Sequence, residues 1–177
     1  MNPRRRLPDY IQPGLRVLLV GINPGLRSAL VGHHFAGPSN RFWKLLYESG
    51  LVTDPLTYQD DWRLPEWGLG LTNIISRSTT GIEVLRPYEY RAGIARLRKK
   101  VARYRPTIVA LLGVTIFRTI FHRQTQRPSR LSLGLQTARL AGVPVFLLPN
   151  PSGRNAHYSY RRMLAAFRLL RQAAPSD

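Results

Sequence analysis

Along the chain, unbroken apolar runs alternate with stretches in which apolar residues recur every three or four positions. Five segments read as strands. Val17-Leu18-Leu19-Val20 is an apolar run that stops at Gly21-Ile22-Asn23-Pro24-Gly25, and such a run suits a parallel strand covered on both faces. Gly68 to Asn73 makes a shorter strand, also ending on an Asn. Thr107 to Leu112 makes the clearest strand after the first, Leu131 to Leu140 a short strand or hairpin, and Val143 to Leu148 the last, broken by Pro149-Asn150-Pro151-Ser152-Gly153.

Helical spacing fills the intervals. Ser39 is placed to cap a helix in which Phe42, Leu45 and Leu46 share a face, Trp43 flanks them and Gly50 closes the end. Pro87 opens a helix to about Tyr104 with Ile94, Leu97 and Val101 inward, and Gly113 opens another to about His122. A final helix runs from about His157 to Ala173, with Tyr160, Met163, Leu164, Phe167 and Leu170 on one face. The intervening 26–37, 51–67 and 76–81 read as connections: an irregular loop with Gly and His, a polar link with room for a short helix, and a Ser/Thr-rich loop. Strands separated by helices predict a three-layer αβα sandwich around a mostly parallel sheet. Loops leaving the C-terminal ends of neighbouring strands emerge on one edge, where open α/β sheets bind ligands. Asn23, Asn73 and Asn150 are therefore expected at a single cleft.

Charge narrows the partners. Among 177 residues, 27 Lys and Arg oppose 9 Asp and Glu, a net charge of +18. Such an excess, mostly Arg, points to a polyanion, and nucleic acid is favoured over a membrane because no stretch is apolar enough to span one. The basic face of the second predicted helix, Arg96, Arg98, Lys99, Lys100 and Arg103, reads either as a solvated surface or as a DNA contact. The start of the chain, residues 1–13 with Arg4 to Arg6, is expected to be a basic arm or a clip onto a single domain at 14–177. The chain has no Cys, so disulfides and thiolate-ligated metals are excluded. No apolar segment follows the first residues as in a secretory signal, and a cytoplasmic, nucleoid-associated protein is expected.

Few residues offer conventional hydrolytic chemistry. There is no phosphate-binding Gly-x-x-x-x-Gly-Lys loop, no Gly-x-Ser-x-Gly elbow and no His-Glu-x-x-His, and His33-His34 are adjacent rather than spaced for a metal. An amide-lined pocket suits a reaction whose leaving group departs largely unaided and needs its negative charge received.

Gly21-Ile22-Asn23-Pro24-Gly25, Gly32-His33-His34-Phe35, Asn40-Arg41-Phe42-Trp43-Lys44, Gly70-Leu71-Thr72-Asn73 and Asn150-Pro151-Ser152-Gly153 together resemble the mismatch-specific uracil- and thymine-DNA glycosylases of the uracil-DNA glycosylase superfamily. The resemblance runs from about residue 14 to the last helix. It implies hydrolysis of the N-glycosidic bond of uracil, thymine or other damaged pyrimidines in mismatched double-stranded DNA. A monomer acting on G·U or G·T pairs is implied, with the base flipped from the helix and no metal or cofactor. By the same resemblance Asn23 matches the residue that positions the attacking water, and Phe35 the aromatic that stacks on the base. Ile22 belongs to the turn at its edge, Ser28 lies near the pyrimidine 5-position, and Asn73 helps recognise the base. Asn150, Pro151, Ser152, Gly153 and Arg154 match the loop that wedges into the duplex. Arg154 stands where relatives carry an apolar or small residue, and Ala156 where they often carry Arg. Other readings of these residues are that Asn73 and Asn150 end strands, that Phe35 is a core aromatic, and that Arg154 binds phosphate. Two other functions fit the same chain: a noncatalytic lesion-binding module of the same fold, and a hydrolase acting on free nucleosides.

Overall fold

The structure, a computed structural model, describes residues 6–121 and 131–175. Its core is a five-stranded sheet in the order β2-β1-β3-β5-β4, with β1 at Val17–Gly21, β2 at Leu69–Asn73, β3 at Ile108–Leu112, β4 at Gly134–Leu140 and β5 at Val143–Leu148. All neighbours are parallel except β4 and β5. These two form a hairpin turned by Ala141 and Gly142, both at positive φ (49° and 84°), as a two-residue hairpin turn requires.

Strand alternation splits the core in two. Val17 and Leu19 face helices α2 (Phe42–Glu48) and α5 (Tyr160–Ala173), where Phe42, Leu45, Leu46, Met163 and Phe167 are buried. Leu18 and Val20 face α3 (Pro87–Tyr104) and α4 (Val114–Ile120), which contribute Leu97, Val101, Ile116 and Phe117. Both faces of the sheet are thus covered, the three-layer arrangement that the alternating pattern predicts.

Local departures have local causes. Residues 26–37 are not loop throughout: Leu26–Val31 forms α1, ended by Gly32 at φ 83°. Its pattern is inverted, with Leu26 and Leu30 exposed (48% and 61%) while Ser28 and Ala29 are buried, so apolar periodicity could not reveal it. Ser39 does not cap α2. Asn40 Oδ1 accepts from Phe42 N at 3.0 Å, and Arg41 N donates to the Pro151 carbonyl at 3.0 Å, so the helix start is satisfied partly by a distant loop. Gly50 does close α2, at φ 75°. Helix α4 ends at Ile120, and His122 with the basic loop at 123–130 lies outside the described residues. Helix α5 begins at Tyr160 rather than His157, because Ser159 Oγ accepts from Arg162 N at 3.3 Å.

The connection 51–67 carries a 3-10 segment, Tyr58–Trp67, opened by a reciprocal Thr57–Asp60 cap. Ahead of β1, the chain is fastened to the sheet. Tyr10 exchanges both backbone hydrogen bonds with Leu71 on the outer edge of β2, at 2.9 and 2.8 Å. Asp9 pairs with Lys100 and accepts from Thr72 Oγ1 at 2.6 Å. Lys100 is thereby withdrawn from the solvated face of α3.

Candidate active site

The parallel register puts Gly21 opposite Asn73, and the pairing continues past both strands, with Ile74 N donating to the Gly21 carbonyl (3.0 Å) and Ile75 N to that of Ile22 (2.8 Å). Asn23, two residues beyond the Gly21–Asn73 pair, therefore lies at the same sheet edge as Asn73, although fifty residues of chain separate them. The Ile22 side chain is buried in the core and its carbonyl is taken by Ile75.

Asn23 is oriented by its surroundings. Its Nδ2 donates to Thr79 Oγ1 (2.8 Å), the Arg77 carbonyl (3.1 Å) and the Pro24 carbonyl (3.2 Å). Carbonyl oxygens only accept, so the NH₂ must lie on that side and Oδ1 on the other. Among the described residues Oδ1 has no hydrogen-bond partner. Thr79 is buried, passes its own proton to the Gly81 carbonyl (2.7 Å), and is tied to the turn by Thr79 N donating to the Pro24 carbonyl (3.2 Å). Residues 77–81 thus form a strap across the Asn-Pro turn. Arg77 anchors the strap by two bonds to Glu89, at 2.8 and 2.9 Å, and that arginine holds the Glu89 carboxyl far below its usual range, at about 2.

Phe35 lies half-buried, stacked on Phe42 with ring centroids 4.0 Å apart and 23° between planes. Its φ of 51° is a conformation that a bulky residue rarely adopts, at a cost of about 1 kcal/mol or more. The turn that enforces it is pinned twice. Ser28 Oγ accepts from Ala36 N (3.0 Å) on one side, and Asp61 Oδ2 accepts from His34 N (2.8 Å) on the other. The Ser28 side chain is thus buried beneath the turn and committed to it.

Asp61 is 0% exposed, and its other oxygen accepts from the Tyr10 hydroxyl and faces His33 Nδ1, each at 3.0 Å. Burial, reinforced by this carboxylate, pushes the Tyr10 phenol above its ordinary range. The buried Asp61 carboxylate is thus enclosed by donors. Burial likewise pushes the His34 imidazole below its ordinary value, against the opposing pull of the Pro8 carbonyl and of Asp61. Beside Asn73 and Pro24 opens a recess of about 210 Å³, walled by Arg6, Asp9, Arg96 and Lys100.

The loop after β5 approaches from the far side of β3. Asn150 Oδ1 accepts from Ser152 N (3.0 Å), Ser152 Oγ from Arg154 N (3.3 Å), and the Asn150 carbonyl from Asn155 Nδ2 (2.8 Å). The Asn150 amide oxygen therefore shapes its own loop. Pro151 is buried, and Gly153 has no room for a side chain: a Cβ there would lie 2.4 Å from Ser39. Arg154 reaches across to the Thr80 carbonyl at 3.1 Å, so this loop and the Asn23 strap are in contact. Thr79, Asp61, Tyr10 and Pro8 were not legible as site residues. The Ser/Thr-rich loop and the Asp60-Asp61 doublet carry no spacing signal, and their roles arise only where separate segments meet.

At its C-terminal edge the mostly parallel sheet thus carries an amide with a fixed nitrogen, a stacked aromatic ring and a second amide. Among the described residues no group of His, Cys, Asp and Glu is placed to hold a metal. Residues 8–171 match the model of the uracil DNA glycosylase superfamily, and the chain belongs to that family: it is a DNA glycosylase. The fold is shared with the solution NMR structure of a Methanosarcina acetivorans protein proposed to be a uracil DNA glycosylase. The two are 18% identical, with a TM-score of 0.60 over 95% of this chain and 98% of that one.

Proposed function

We propose that this glycosylase hydrolyses the N-glycosidic bond of uracil in mismatched double-stranded DNA, G·U above all, with thymine from G·T as a further substrate, and that it acts as a monomer. The observation that carries the reading is the Asn23 carboxamide, whose nitrogen is held by three acceptors while its oxygen has no partner among the described residues. Such an oxygen accepts a hydrogen bond from water and aims it at the sugar carbon, but it is a feeble base. The base is therefore driven off mainly by stabilisation of its own departing anion. Backbone N–H groups of the turn supply that, without proton transfer and without reorganising as charge develops.

A pyrimidine inside a duplex costs a few kcal/mol to extrude, less when mispaired, so mismatched substrates are favoured from the outset. Phe35, backed by Phe42, offers a rigid platform for the extruded ring, and Asn73 meets its edge. The segment Asn150–Arg154 serves as the wedge, held by its internal turn and by the Pro151 carbonyl that caps α2. The +18 charge attracts the DNA backbone.

The test is release of free base from a G·U duplex under single-turnover conditions. Asn23→Ala is expected to lower the rate by about a hundredfold or more while duplex affinity changes little, the signature of an interaction made mainly in the transition state. Equal rates would remove Asn23 from the mechanism. Absence of release by the wild-type protein would leave a lesion-binding module.

A further inference from the structure

The segment ahead of β1 has no place in the chemistry above, yet it reaches the base site through one side chain. His34 is 2% exposed, with Nε2 2.8 Å from the Pro8 carbonyl oxygen and Nδ1 3.4 Å from Asn73 Nδ2. A carbonyl only accepts, so Nε2 carries the proton and a neutral ring keeps its lone pair on Nδ1. That lone pair accepts from the Asn73 NH₂. Were the Asn73 amide turned over, its oxygen would face the Nδ1 lone pair, two buried acceptors with no hydrogen between them.

The consequence lies on the other side of Asn73. Its Oδ1 sits where a Gly21 side chain would be, 2.5 Å from an ideal Cβ, and that same Cβ would lie 3.7 Å from Phe35 Cζ. The oxygen and the tip of the Phe35 ring thus border the same space in front of Gly21, and the oxygen has no partner among the described residues. Uracil and thymine carry hydrogen on ring nitrogen N3, which suits this acceptor. Cytosine has a lone pair there, which does not.

We propose that the Pro8 carbonyl and His34 form a relay that fixes which end of the Asn73 amide meets the base, selecting pyrimidines protonated at N3 over cytosine. The inference rests on Asn73 being the base-reading group in the function proposed above. His34 is a positioning residue, acting through Asn73. Tyr10 and Asp61 serve the same end: the Tyr10 hydroxyl and the His34 backbone N–H meet on one buried carboxylate, so residues 8–10 help build the base site as well as lining the edge of β2.

Two measurements on the full chain test this. Side-chain ¹⁵N NMR of the wild-type protein at pH 7 is expected to show His34 neutral, with Nε2 protonated and Nδ1 bare. An Nδ1–H tautomer or an imidazolium would overturn the relay. In an Asn23→Ala background, affinity is then compared for duplexes carrying uracil or cytosine opposite an abasic analogue, which makes the pairing cost similar for the two. Uracil is expected to be favoured about tenfold, the size of one mismatched hydrogen bond. Adding His34→Leu should abolish the preference, and adding His34→Gln, which can still donate and accept, should restore most of it. A preference that survives His34→Leu, or none in the starting background, would overturn the proposal. Binding and tautomer are read without turnover, so failure of base release would count against the catalytic reading alone.

Discussion

Gly21 shows how one residue serves the site without any special backbone. It is not at positive φ; it is Gly because Asn73 Oδ1 occupies the space of its missing side chain. Gly21→Ala would push against the far end of a side chain rather than against backbone, which the fold tolerates. The melting temperature is expected to fall by less than about 5 °C, while excision of uracil drops by about tenfold or more because the reading group is displaced. Unchanged excision in a well-folded Gly21→Ala protein would mean that Asn73 does not read the base where it stands. Phe35 illustrates the opposite case, a bulky residue kept at a φ of 51° because Ser28 and Asp61 hold the flanking backbone while Phe42 receives the ring. Neither the close approach at Gly21 nor this strain is written in residue order. Both require knowing which strand lies next door.

At the scale of elements, the 77–81 strap is the part on which catalysis should depend most sensitively. Thr79 accepts the shortest of the bonds that orient Asn23, and it is buried. Thr79→Val keeps the volume and deletes the hydroxyl; the single-turnover rate is expected to fall about tenfold, with the duplex Kd changed less than twofold. Thr79→Ser should recover most of the loss. One layer further out, Glu89 holds Arg77 by two bonds and also accepts from Arg86 N at 2.9 Å, joining the strap to the first turn of α3. Glu89→Gln weakens that anchor and should slow excision by about threefold, without altering the salt dependence of DNA binding. Because the Glu89 carboxyl is held at about 2, the anchor persists at every pH at which the protein would be assayed. If Glu89→Gln and the wild type were equally fast, the strap would be fixed by Thr79 and its backbone bonds alone.

For the molecule as a whole, His34 links the site to stability. Its pKa lies below the ordinary 6.5 in the folded state, chiefly through burial. As pH falls below 6.5 the unfolded chain therefore takes up a proton that the folded one refuses, and stability declines; above 6.5 neither state is charged and the penalty vanishes. Thermal melts between pH 5 and pH 7 are expected to show a larger acid loss for the wild type than for His34→Gln. Equal losses would indicate that the ring is not kept neutral. The net charge of +18 acts in the other direction from any single site, repelling within the fold while drawing the protein to DNA.

The sequence by itself determined the layered sheet and its strand ends, because buried strands and amphipathic helices leave their period in the order of residues. Val17–Val20, Ile108–Leu112 and the Pro87–Tyr104 helix are legible for that reason, and so is the placing of Asn23 and Asn73 at one edge. The inverted helix at Leu26–Val31 left no such period, and the cap that fell to Asn40 in place of Ser39 depended on where the Pro151 loop came to rest. Only the tertiary structure decided how the amides are turned. A carboxamide is symmetric in shape but not in hydrogen bonding, so the way it is turned is chosen by partners that the fold brings together: Thr79 and Arg77 for Asn23, His34 and Pro8 for Asn73.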